Sequence, residues 1–465
     1  MAGLYSIAEI IECTGGRAEN VVARSINSIS IDSREIENGA LYVAIKGDVF
    51  DGHDFVKAAI DNGAVAALVS EAKTENLKGL PIIIVPDALA GMVDIAKFAR
   101  TRSSAKIIAV TGSAGKTSTK EILKEVLQKF GKTHASIKSF NNHWGVPLML
   151  ARMAKDVQFG IFEIGMNHSG EISPLSQLVK PDIAVITSIA PAHLEQLGSI
   201  ESIAKAKAEI FDGLEKSGIA IINVDHQQGD ILLSSAENAG IKQVITYGFA
   251  ENAKVGIVDA KAENGGMSAK ICWQNMAINL KIATAGRHRL ANATVALIVV
   301  DILDLDIKTT LDILAKHKET AGRGQVLKFG ASDNPLTLID ESYNANPLSM
   351  KIALDVFKDI KANRNKILVL GDMFELGEKS QQLHIELKNN ILAQKADRVF
   401  LIGDYMQALT TELNEHDNVT YANKLSEINN EIIDSLDYGD VIMLKGSNGM
   451  RLGELVKAIR QKFNK

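Results

Sequence analysis

A glycine-rich loop between a hydrophobic run and a helical pattern constrains the fold of this chain most strongly. The segment AVTGSAGKTSTKEILKEVL predicts a strand that ends at Thr111, a loop at 112–115 and a helix that begins near Lys116. Backbone N–H groups in such a loop, with the positive end of the helix, cradle phosphate oxygens, and the lysine reaches the terminal phosphates. The hydroxyl of Thr117 would then ligate Mg²⁺. An incidental glycine-rich turn is the alternative, but all the parts follow one another in the required order.

The loop predicts nucleotide binding but leaves the reaction open. It has the short form GxxGKT, because Val110 rather than a glycine stands six residues before Lys116. Kinases, GTPases and ATP-driven ligases all use the same phosphate-binding physics. Other motifs must decide between them.

Composition excludes several classes of protein. The 465 residues are about three times the ~150 typical of one domain, and 46% hydrophobic with 23% charged residues is typical of globular proteins. The 51 basic and 56 acidic side chains leave a net charge of −5, which disfavours nucleic acid as a partner. Cys13 and Cys272 are too few for a disulfide framework or a cysteine zinc cluster, so we expect a cytoplasmic protein.

No segment predicts stable membrane insertion. Near the N-terminus, Glu9 and Glu12 interrupt the apolar residues, which is not typical of a signal peptide. The most apolar later run, 293–303, is well short of the ~20 residues that cross a bilayer and predicts a buried helix.

Strand and helix patterns alternate along the chain and predict an α/β protein of three domains. The range 1–102 is typical of a small α/β domain. The range 103–320 contains buried-type strands separated by helices, as in a doubly wound parallel sheet, and includes residues 254–284, which alternate like antiparallel hairpins. The range 321–465 alternates strands and helices again, which predicts another α/β domain.

Two further polar residues follow predicted strands of the middle domain. Glu163 ends the run FGIFEIG, and His193 comes after DIAVITS. Because the carboxyl ends of parallel strands meet at one edge, both can converge on the phosphate loop. Glu163 and Thr117 offer the oxygen ligands that Mg²⁺ prefers, and His193 is an unusual but possible extra ligand. A surface carboxylate and a lone structural histidine are the alternatives.

Lys205 and Lys207 stand two apart on a predicted helix and therefore point to different faces. One of them can face the cleft. A protonated lysine would repel Mg²⁺, so an inward Lys207 must be chemically altered or must pair with phosphate. Two solvated lysines are the alternative.

The combined motifs resemble one family, the Mur ligases of peptidoglycan synthesis. Blocks across nearly the whole chain carry the resemblance: DSREIENGALYVAIKGDVFDGHDF, TGSAGKTST, NNHWGVPLML, FEIGMNHSGEI, APAHLEQLGSIESIAKAKAEIF, GRHRLANA, DESYNANPLSM, VLGDMFELGEKSQQLH and LKGSNGMRL. The pair SYNANP and LGDMFELGE is similar to the branch that joins D-alanyl-D-alanine to UDP-N-acetylmuramoyl-tripeptide. The family implies a three-domain α/β architecture with a central P-loop sheet and a Rossmann-like C-terminal domain.

The resemblance also implies an activity and its substrates. It implies an ATP- and Mg²⁺-dependent, ADP-forming amide ligase that works through an acyl phosphate, as a monomer in the cytoplasm. The N-terminal domain would bind the UDP-sugar, the central domain ATP, and the C-terminal domain D-alanyl-D-alanine. A folylpolyglutamate synthase shares the short loop but should lack the DSR, DGH and SYNANP blocks. A switch protein that hydrolyses ATP without making a bond is a rival from another class.

Site residues follow from the resemblance position by position. It implies that Lys116 holds the β- and γ-phosphates, that Thr117 and Glu163 hold one Mg²⁺, and that His193 and a carbamylated Lys207 hold a second. Lys116, Lys207, His193 and Arg323 would be the catalytic set. The implied nucleotide site comprises Gly112, Ser113, Ala114, Gly115, Lys116, Thr117, Ser118, Asn292, Arg323, Asp340 and Glu341.

Four of these positions carry more specific expectations. By resemblance Asn292 reads adenine, and Arg323 reaches the γ-phosphate from the C-terminal domain, where an arginine stabilises developing charge. Asp340 and Glu341 lie where the family usually has paired aspartates near the ribose or Mg²⁺. Glu341 is one methylene longer than aspartate, and Arg289 stands where the family often has asparagine.

The remaining implied residues contact the other two substrates. The UDP group is assigned to Ser33, Arg34, Asp51, Gly52 and His53, and an arginine suits a diphosphate by its geometry. A plain turn is the alternative for the DGH block. The nucleotide-sugar precursor would also contact Asn141 and Asn142, and the dipeptide would contact Lys445, Ser447 and Asn448 after the last strand, on the rim of the domain.

Overall fold

A computed structural model describes residues 3–137, 139–263 and 265–464, and its larger sheets fall one into each predicted domain range. In the N-terminal range, the sheet has the order β2-β7-β6-β5-β4, and β1 pairs separately with β3. Neighbours from β4 to β7 are parallel, while β2 joins β7 antiparallel. The strands are Tyr5–Ser6 (β1), Arg17–Glu19 (β2), Ser25–Ile26 (β3), Ser28–Ser30 (β4), Ala40–Val43 (β5), Ala64–Ser70 (β6) and Ile82–Val85 (β7). The helices are Ile7–Thr14 (α1), Val56–Asp61 (α2) and Ala88–Thr101 (α3).

The central sheet is long and mixed, with the order β16-β15-β14-β13-β12-β11-β8-β10-β9. Its strands are Lys106–Thr111 (β8), Thr133–Ala135 (β9), Phe159–Glu163 (β10), Ile183–Ile186 (β11), Ile219–Asn223 (β12), Gln243–Gly248 (β13), Val255–Glu263 (β14), Gly266–Trp273 (β15) and Met276–Ile282 (β16). Its helices are Lys116–Leu127 (α4), Gly145–Ala151 (α5), Ile172–Val179 (α6), Leu194–Leu197 (α7), Ile200–Ala208 (α8), Gly229–Asn238 (α9), Arg287–Ile302 (α10) and Ile307–Leu314 (α11).

Strand β8 lies between β11 and β10 inside the parallel part of this sheet. Ile107 and Ala109 pack into the core on one face, and Ile108 and Val110 pack into the core on the other. A strand buried on both faces needs a continuous apolar run, which is what this segment has. The glycine-rich loop therefore leaves a rigid strand at the centre of the carboxyl edge of the sheet.

Two expectations from the sequence are confirmed in this domain. Strands β14, β15 and β16 pair antiparallel, as the alternation at 254–284 predicts. The apolar run at 293–303 lies in α10, whose residues from Arg289 to Val300 are all buried. Among the described residues, no helix is long and apolar enough to span a membrane.

The C-terminal sheet has the order β17-β18-β22-β19-β20-β21 and is parallel except for the edge strand β17. Its strands are Gln325–Phe329 (β17), Leu336–Glu341 (β18), Lys366–Gly371 (β19), Arg398–Ile402 (β20), Val419–Ala422 (β21) and Val441–Lys445 (β22). Its helices are Pro347–Lys358 (α12), Ser380–Ile385 (α13), Lys388–Leu392 (α14), Met406–Glu412 (α15), Leu425–Ser435 (α16) and Leu452–Phe463 (α17). The carboxyl ends of β18 and β22 reach the junction with the central domain.

Candidate active site

The phosphate loop joins β8 to α4 and needs glycine at both of its ends. Gly112 has φ +150°, and a Cβ there would lie 2.0 Å from Thr187 Oγ1. Gly115 has φ +85°, and a Cβ there would lie 2.9 Å from Asn292 Oδ1. Any side chain at either position would be strained and would clash. The second contact also places Asn292 against the loop, although the two are far apart in sequence.

The loop is fastened to the segment that follows β11. Ser113 N–H donates to Ser188 O at 2.8 Å, and Ala114 N–H donates to Ser188 Oγ at 2.9 Å. Thr187 Oγ1 donates to Ala114 O at 2.6 Å. The N–H groups of Ser113 and Ala114 therefore have hydrogen-bond partners within the protein. The N–H groups of the first turn of α4, which have no partner inside the helix, are the ones aimed at an anion.

Lys116 begins α4 and folds back over the loop. Its Nζ donates to Gly112 O at 2.5 Å. Burial lowers the pKa of Lys116 below its ordinary value, Glu163 raises that pKa, and the charge on Arg323 lowers it. Arg323 is thus within electrostatic reach of Lys116, although it belongs to the C-terminal domain. Two cations held this close together favour a polyanion between them.

Thr117 and Glu163 come together as the sequence predicts. Thr117 Oγ1 donates to Glu163 Oε2 at 2.7 Å, and Asn141 Nδ2 donates to Glu163 Oε1 at 2.8 Å. Both Thr117 and Glu163 are buried, and a hydroxyl beside a carboxylate is the oxygen donor set that suits Mg²⁺. Asn141 orients the carboxylate, whereas Asn142 accepts from Gly145 N–H at 2.9 Å at the start of α5. Within the described ranges, no three His, Cys, Asp or Glu side chains gather into a ready-made metal site.

His193 lies at the start of α7 in the left-handed conformation, with φ +59°. Its Nδ1 is 2.5 Å from Glu375 Oε2, a residue of the C-terminal domain, and Glu195 N–H donates to Glu375 O at 3.3 Å. This contact with His193 lowers the pKa of Glu375. The segment after β11 therefore contacts the C-terminal domain through His193. Among the described residues, no hydrogen bond or ion pair involves its other ring nitrogen, Nε2.

Lys205 and Lys207 point to opposite faces of α8. Lys205 is exposed, whereas Lys207 is 1% exposed. Burial lowers the pKa of Lys207 well below its ordinary value, and the charge on Lys116 lowers it further. The described part of the chain places no carboxylate within ion-pair distance of Lys207. A lowered pKa increases the neutral fraction of this buried amine, and the neutral amine is the form that reacts with CO₂.

Arg323 reaches the central domain from the segment just before β17. Its Nη2 donates to Ser139 Oγ at 3.3 Å, and its guanidinium stacks 4.1 Å from the centre of the Tyr343 ring. Asn346 Nδ2 makes a second link, donating to Ser113 O of the phosphate loop at 3.4 Å. Polar side chains of the C-terminal domain therefore close over the loop.

Asp340 and Glu341, at the end of β18, serve different partners. Asp340 accepts from Gly322 N–H at 2.8 Å and from the Ser342 hydroxyl at 2.6 Å, so its carboxylate organises the chain around Arg323. Glu341 is 3.5 Å from both Arg289 and Lys445. The two positions that depart from the family pattern, Arg289 and Glu341, are thus paired with each other.

Lys445 is the last residue of β22 and is buried, rather than on the rim where the sequence analysis placed it. Its Nζ donates to Asn344 O at 3.1 Å, and burial lowers its pKa. Ser447 is also buried and accepts from Phe374 N–H at 2.8 Å, while Asn448 is exposed. Of these three residues, Asn448 alone has an exposed side chain.

The N-terminal residues lie on another part of the molecule. Arg34 is exposed and forms a two-pronged contact with Asp32 at 2.9 and 2.7 Å, and neighbouring Ser33 accepts from Asn62 through its carbonyl. The Arg34 fork is therefore accessible to a ligand that displaces Asp32.

The DGH block forms a hydrogen-bonded turn. His53 is buried, with Nδ1 2.6 Å from Asp51 Oδ1 and Nε2 accepting from Ser70 N–H at 3.0 Å. Tyr42 donates to the carbonyl of Gly52 at 2.9 Å. Both ring nitrogens of His53 are used within the protein, so its contribution to a ligand is to shape the turn.

Comparison with known proteins decides the family. Three family models match in chain order: "Mur ligase family, catalytic domain" at 25–124, "Mur ligase middle domain" at 110–300, and "Mur ligase, glutamate ligase domain" at 322–448. The chain is 38% identical to the UDP-N-acetylmuramoyl-tripeptide–D-alanyl-D-alanine ligase of Rickettsia prowazekii over 92% of this chain and 94% of that protein. This chain belongs to the Mur ligase family. It is also 32% identical to the ligase of the same name from Bacillus subtilis, over 93% of each chain.

Solved structures agree with this assignment. The Mur ligase fold described above matches a crystal structure of MurF from Acinetobacter baumannii with a TM-score of 0.85 and 26% identity, over 98% of this chain and 99% of that one. The family and the three-domain α/β architecture expected from the sequence are confirmed.

Several residues that build the site were not singled out by the sequence analysis. Thr187 and Ser188 fasten the phosphate loop, Glu375 holds His193, and Glu319 is 3.4 Å from Arg289. Glu375 lies in the block LGDMFELGE, so the family resemblance did mark the segment that contains it. The other three form contacts between segments distant in sequence, and no local pattern marks them.

Proposed function

We propose that this Mur ligase uses ATP to join D-alanyl-D-alanine to UDP-N-acetylmuramoyl-tripeptide in the cytoplasmic synthesis of peptidoglycan precursors. Relatives 32–38% identical over more than 90% of both chains carry that activity in their names. The reaction releases ADP and phosphate. The two cysteines of this chain are free thiols, which agrees with a reducing compartment.

One observation carries the proposal: Lys116 and Arg323 bring positive charge from two domains to the phosphate loop, next to the buried Lys207. The charge on Lys116 lowers the pKa of Lys207, and the charge on Arg323 lowers the pKa of Lys116. The buried Thr117–Glu163 pair lies at the start of the same helix. An array of fixed positive charge next to oxygen donors is what a triphosphate with Mg²⁺ requires.

The reaction needs activation because a carboxylate is a poor electrophile at neutral pH. An oxygen of the tripeptide's terminal carboxylate attacks the γ-phosphorus of ATP, and the bond to the β-phosphate oxygen breaks to give an acyl phosphate and ADP. The amine of D-alanyl-D-alanine then attacks the acyl carbon, and phosphate leaves as the amide forms and a proton is lost. Lys116 and Arg323 stabilise the charge on the transferring phosphoryl group. Contacts from the C-terminal domain over the loop exclude water, which would otherwise hydrolyse the acyl phosphate.

The residues present suit two Mg²⁺ ions. Thr117 and Glu163 would hold the first, while His193 Nε2 and a carbamate on Lys207 would hold the second. Mg²⁺ supplies charge stabilisation between the carboxylate and the triphosphate. The carbamate forms when the neutral amine adds to CO₂ and releases a proton, which changes a cation into an anion with two oxygen ligands. The burial of Lys207 and its lowered pKa support this assignment.

The other domains bind the other substrates. The exposed Arg34 fork and the turn around Asp51 are proposed to hold the UDP group, together with Ser33, Gly52 and His53. Asn141 and Asn142 are proposed to contact the precursor near the phosphate loop. Exposed Asn448, with Ser447 and Lys445 behind it, is proposed to contact the dipeptide. Ranges 1–102, 103–320 and 321–465 act as the three domains of a monomer.

Phosphate release by the full chain, with each substrate omitted in turn, tests the function. ATP with UDP-N-acetylmuramoyl-tripeptide and D-alanyl-D-alanine should give sustained release in step with the pentapeptide product. Omission of the dipeptide should stop turnover, because the acyl phosphate has no acceptor. Sustained release without the dipeptide, and no product with it, would instead indicate a nucleotide switch.

A further inference from the structure

Arg289 forms the centre of a buried charge cluster at the junction of the central and C-terminal domains. Its Nε is 3.4 Å from Glu319 Oε1, and its Nη2 is 3.5 Å from Glu341 Oε1. Glu341 Oε2 is in turn 3.5 Å from Lys445 Nζ. The guanidinium is about 6% exposed, so these contacts are poorly screened by water.

The cluster connects the phosphate loop to the C-terminal sheet. Arg289 belongs to the first turn of α10, the helix that also carries Asn292. Glu319 follows α11, a helix that packs against both α4 and α10. Glu341 and Lys445 end neighbouring strands of the C-terminal sheet. One guanidinium therefore bridges carboxylates that belong to different domains.

The chain segment that carries Arg323 is built around this guanidinium. Gly324 has φ +92°, and a Cβ there would lie 1.8 Å from Arg289 Nη2, so the backbone passes directly over the Arg289 side chain. Gly324 N–H also donates to Asp340 O at 2.7 Å. The backbone on the C-terminal side of Arg323 therefore depends on the position of Arg289. Glu319 and Glu341 offset the charge of the Arg289 guanidinium beside this backbone segment.

We propose that Arg289, held by Glu319 and Glu341, is a positioning residue that sets Arg323 against the terminal phosphate of the nucleotide. Arg289 itself touches neither substrate nor nucleotide in this scheme. It acts by supporting the segment from Gly322 to Gly324 and by linking that segment to the phosphate-loop helix. The proposal rests on the proposed function, because it takes Arg323 to be the γ-phosphate residue.

Nucleotide binding to the full chain tests this, with variants Arg289→Gln, Arg323→Ala and the double variant. The probes are ADP and a non-hydrolysable ATP analogue, each with Mg²⁺, measured by titration calorimetry. A lost contact to a charged group is worth about 10-fold or more in affinity. We expect R289Q and R323A each to weaken analogue binding about 10-fold relative to ADP. Adding R289Q to R323A should then change the ratio of analogue affinity to ADP affinity less than about twofold.

Two further variants separate positioning from general damage. Arg289→Lys keeps the charge but loses the fork, so it should recover part of the preference for the analogue. Arg287→Gln makes the same chemical change on the same helix at an exposed site, where the guanidinium packs 4.0 Å from the Phe249 ring, and should bind both probes as the wild type does. In turnover, R289Q should lower kcat about 10-fold, with the KM for the UDP-tripeptide unchanged within about twofold.

The possible failures can be told apart. If R323A keeps the full preference for the analogue over ADP, Arg323 is not the γ-phosphate residue and that part of the proposed function falls. If R323A loses the preference but R289Q keeps it, the positioning role of Arg289 is wrong. Equal losses caused by R289Q in the wild-type and R323A backgrounds would also overturn it, because Arg289 would then act independently of Arg323.

Discussion

Replacing Lys207 should raise the stability of the enzyme and abolish its activity. The side chain is 1% exposed on α8, and no described carboxylate pairs with it. Methionine has a similar length and no polar group to bury. In CO₂-depleted buffer without nucleotide, Lys207→Met should therefore relieve a desolvation cost that the wild type bears for its function.

The size of the stability gain in K207M, and its dependence on pH, follow from the burial of Lys207. Removing a buried amine that no described carboxylate pairs with is worth about 1–3 kcal/mol, or several degrees in Tm for a domain of this size. Because burial holds the pKa of Lys207 below its ordinary 10.5, the unfolded chain binds more protons than the folded chain between these two values. Wild-type stability therefore rises with pH in that range. The advantage of K207M should be largest near neutral pH and should shrink towards pH 10.5.

Calorimetric unfolding and phosphate release measure the two effects. We expect K207M to lose at least about 100-fold in kcat, because an anionic metal ligand is lost from the transition state. Lys205→Met, at the exposed position two residues away, should change neither the unfolding temperature nor kcat appreciably. In wild-type protein equilibrated with ¹³CO₂, carbon NMR should show a carbamate signal that is absent from K207M. A K207M enzyme that keeps its activity, or that is destabilised while K205M is not, would refute the reasoning.

Three other changes test separate parts of the structure. Lys116→Ala should leave the circular dichroism spectrum unchanged and abolish phosphate release, and near wild-type release would remove Lys116 from the phosphate site. Thr117→Val should break the 2.7 Å contact with Glu163 and lower kcat about 100-fold with a higher Mg²⁺ requirement, whereas Thr117→Ser should keep both near wild type. Burial raises the pKa of Asp372 from 3.8 to about 6, so between these pH values the folded chain binds more protons than the unfolded chain and stability falls as pH rises. Thermal unfolding should therefore show wild type losing up to about 3 kcal/mol relative to Asp372→Asn across that range, and a constant difference would contradict the assignment.

The elements that the sequence predicted well are those with strong local signals. Strand β8 ends at Thr111 and α4 begins at Lys116, as predicted, because a buried apolar run, a glycine turn and a helical pattern follow each other without ambiguity. Short strands such as β1 and β3, of two residues each, carry too few positions for a period to show. The edge strand β17 begins directly after the glycine-rich, charged stretch KETAGRG, which obscures the start of a strand pattern.

The same distinction separates the site residues. Lys116 and Thr117 were predictable because their spacing within one loop defines the chemistry. The pairs Arg289–Glu341 and His193–Glu375 join residues far apart in sequence, and no spacing rule connects them. Family resemblance marked Arg289 and Glu341 as separate departures, and only the fold shows that they are partners.

Domain contacts over the phosphate loop are polar and individually weak, which bears on how the enzyme excludes water. The hydrogen bond of Arg323 with Ser139 is 3.3 Å long, and that of Asn346 with Ser113 is 3.4 Å. Partly exposed polar contacts of this kind each contribute about 0–1 kcal/mol, so these two alone do not hold the C-terminal domain over the loop. A nucleotide that binds Lys116 and Arg323 together adds contacts available only when the domains are close. Closure should therefore follow from substrate binding, and the carboxylate becomes activated where the amine, and not water, can reach it.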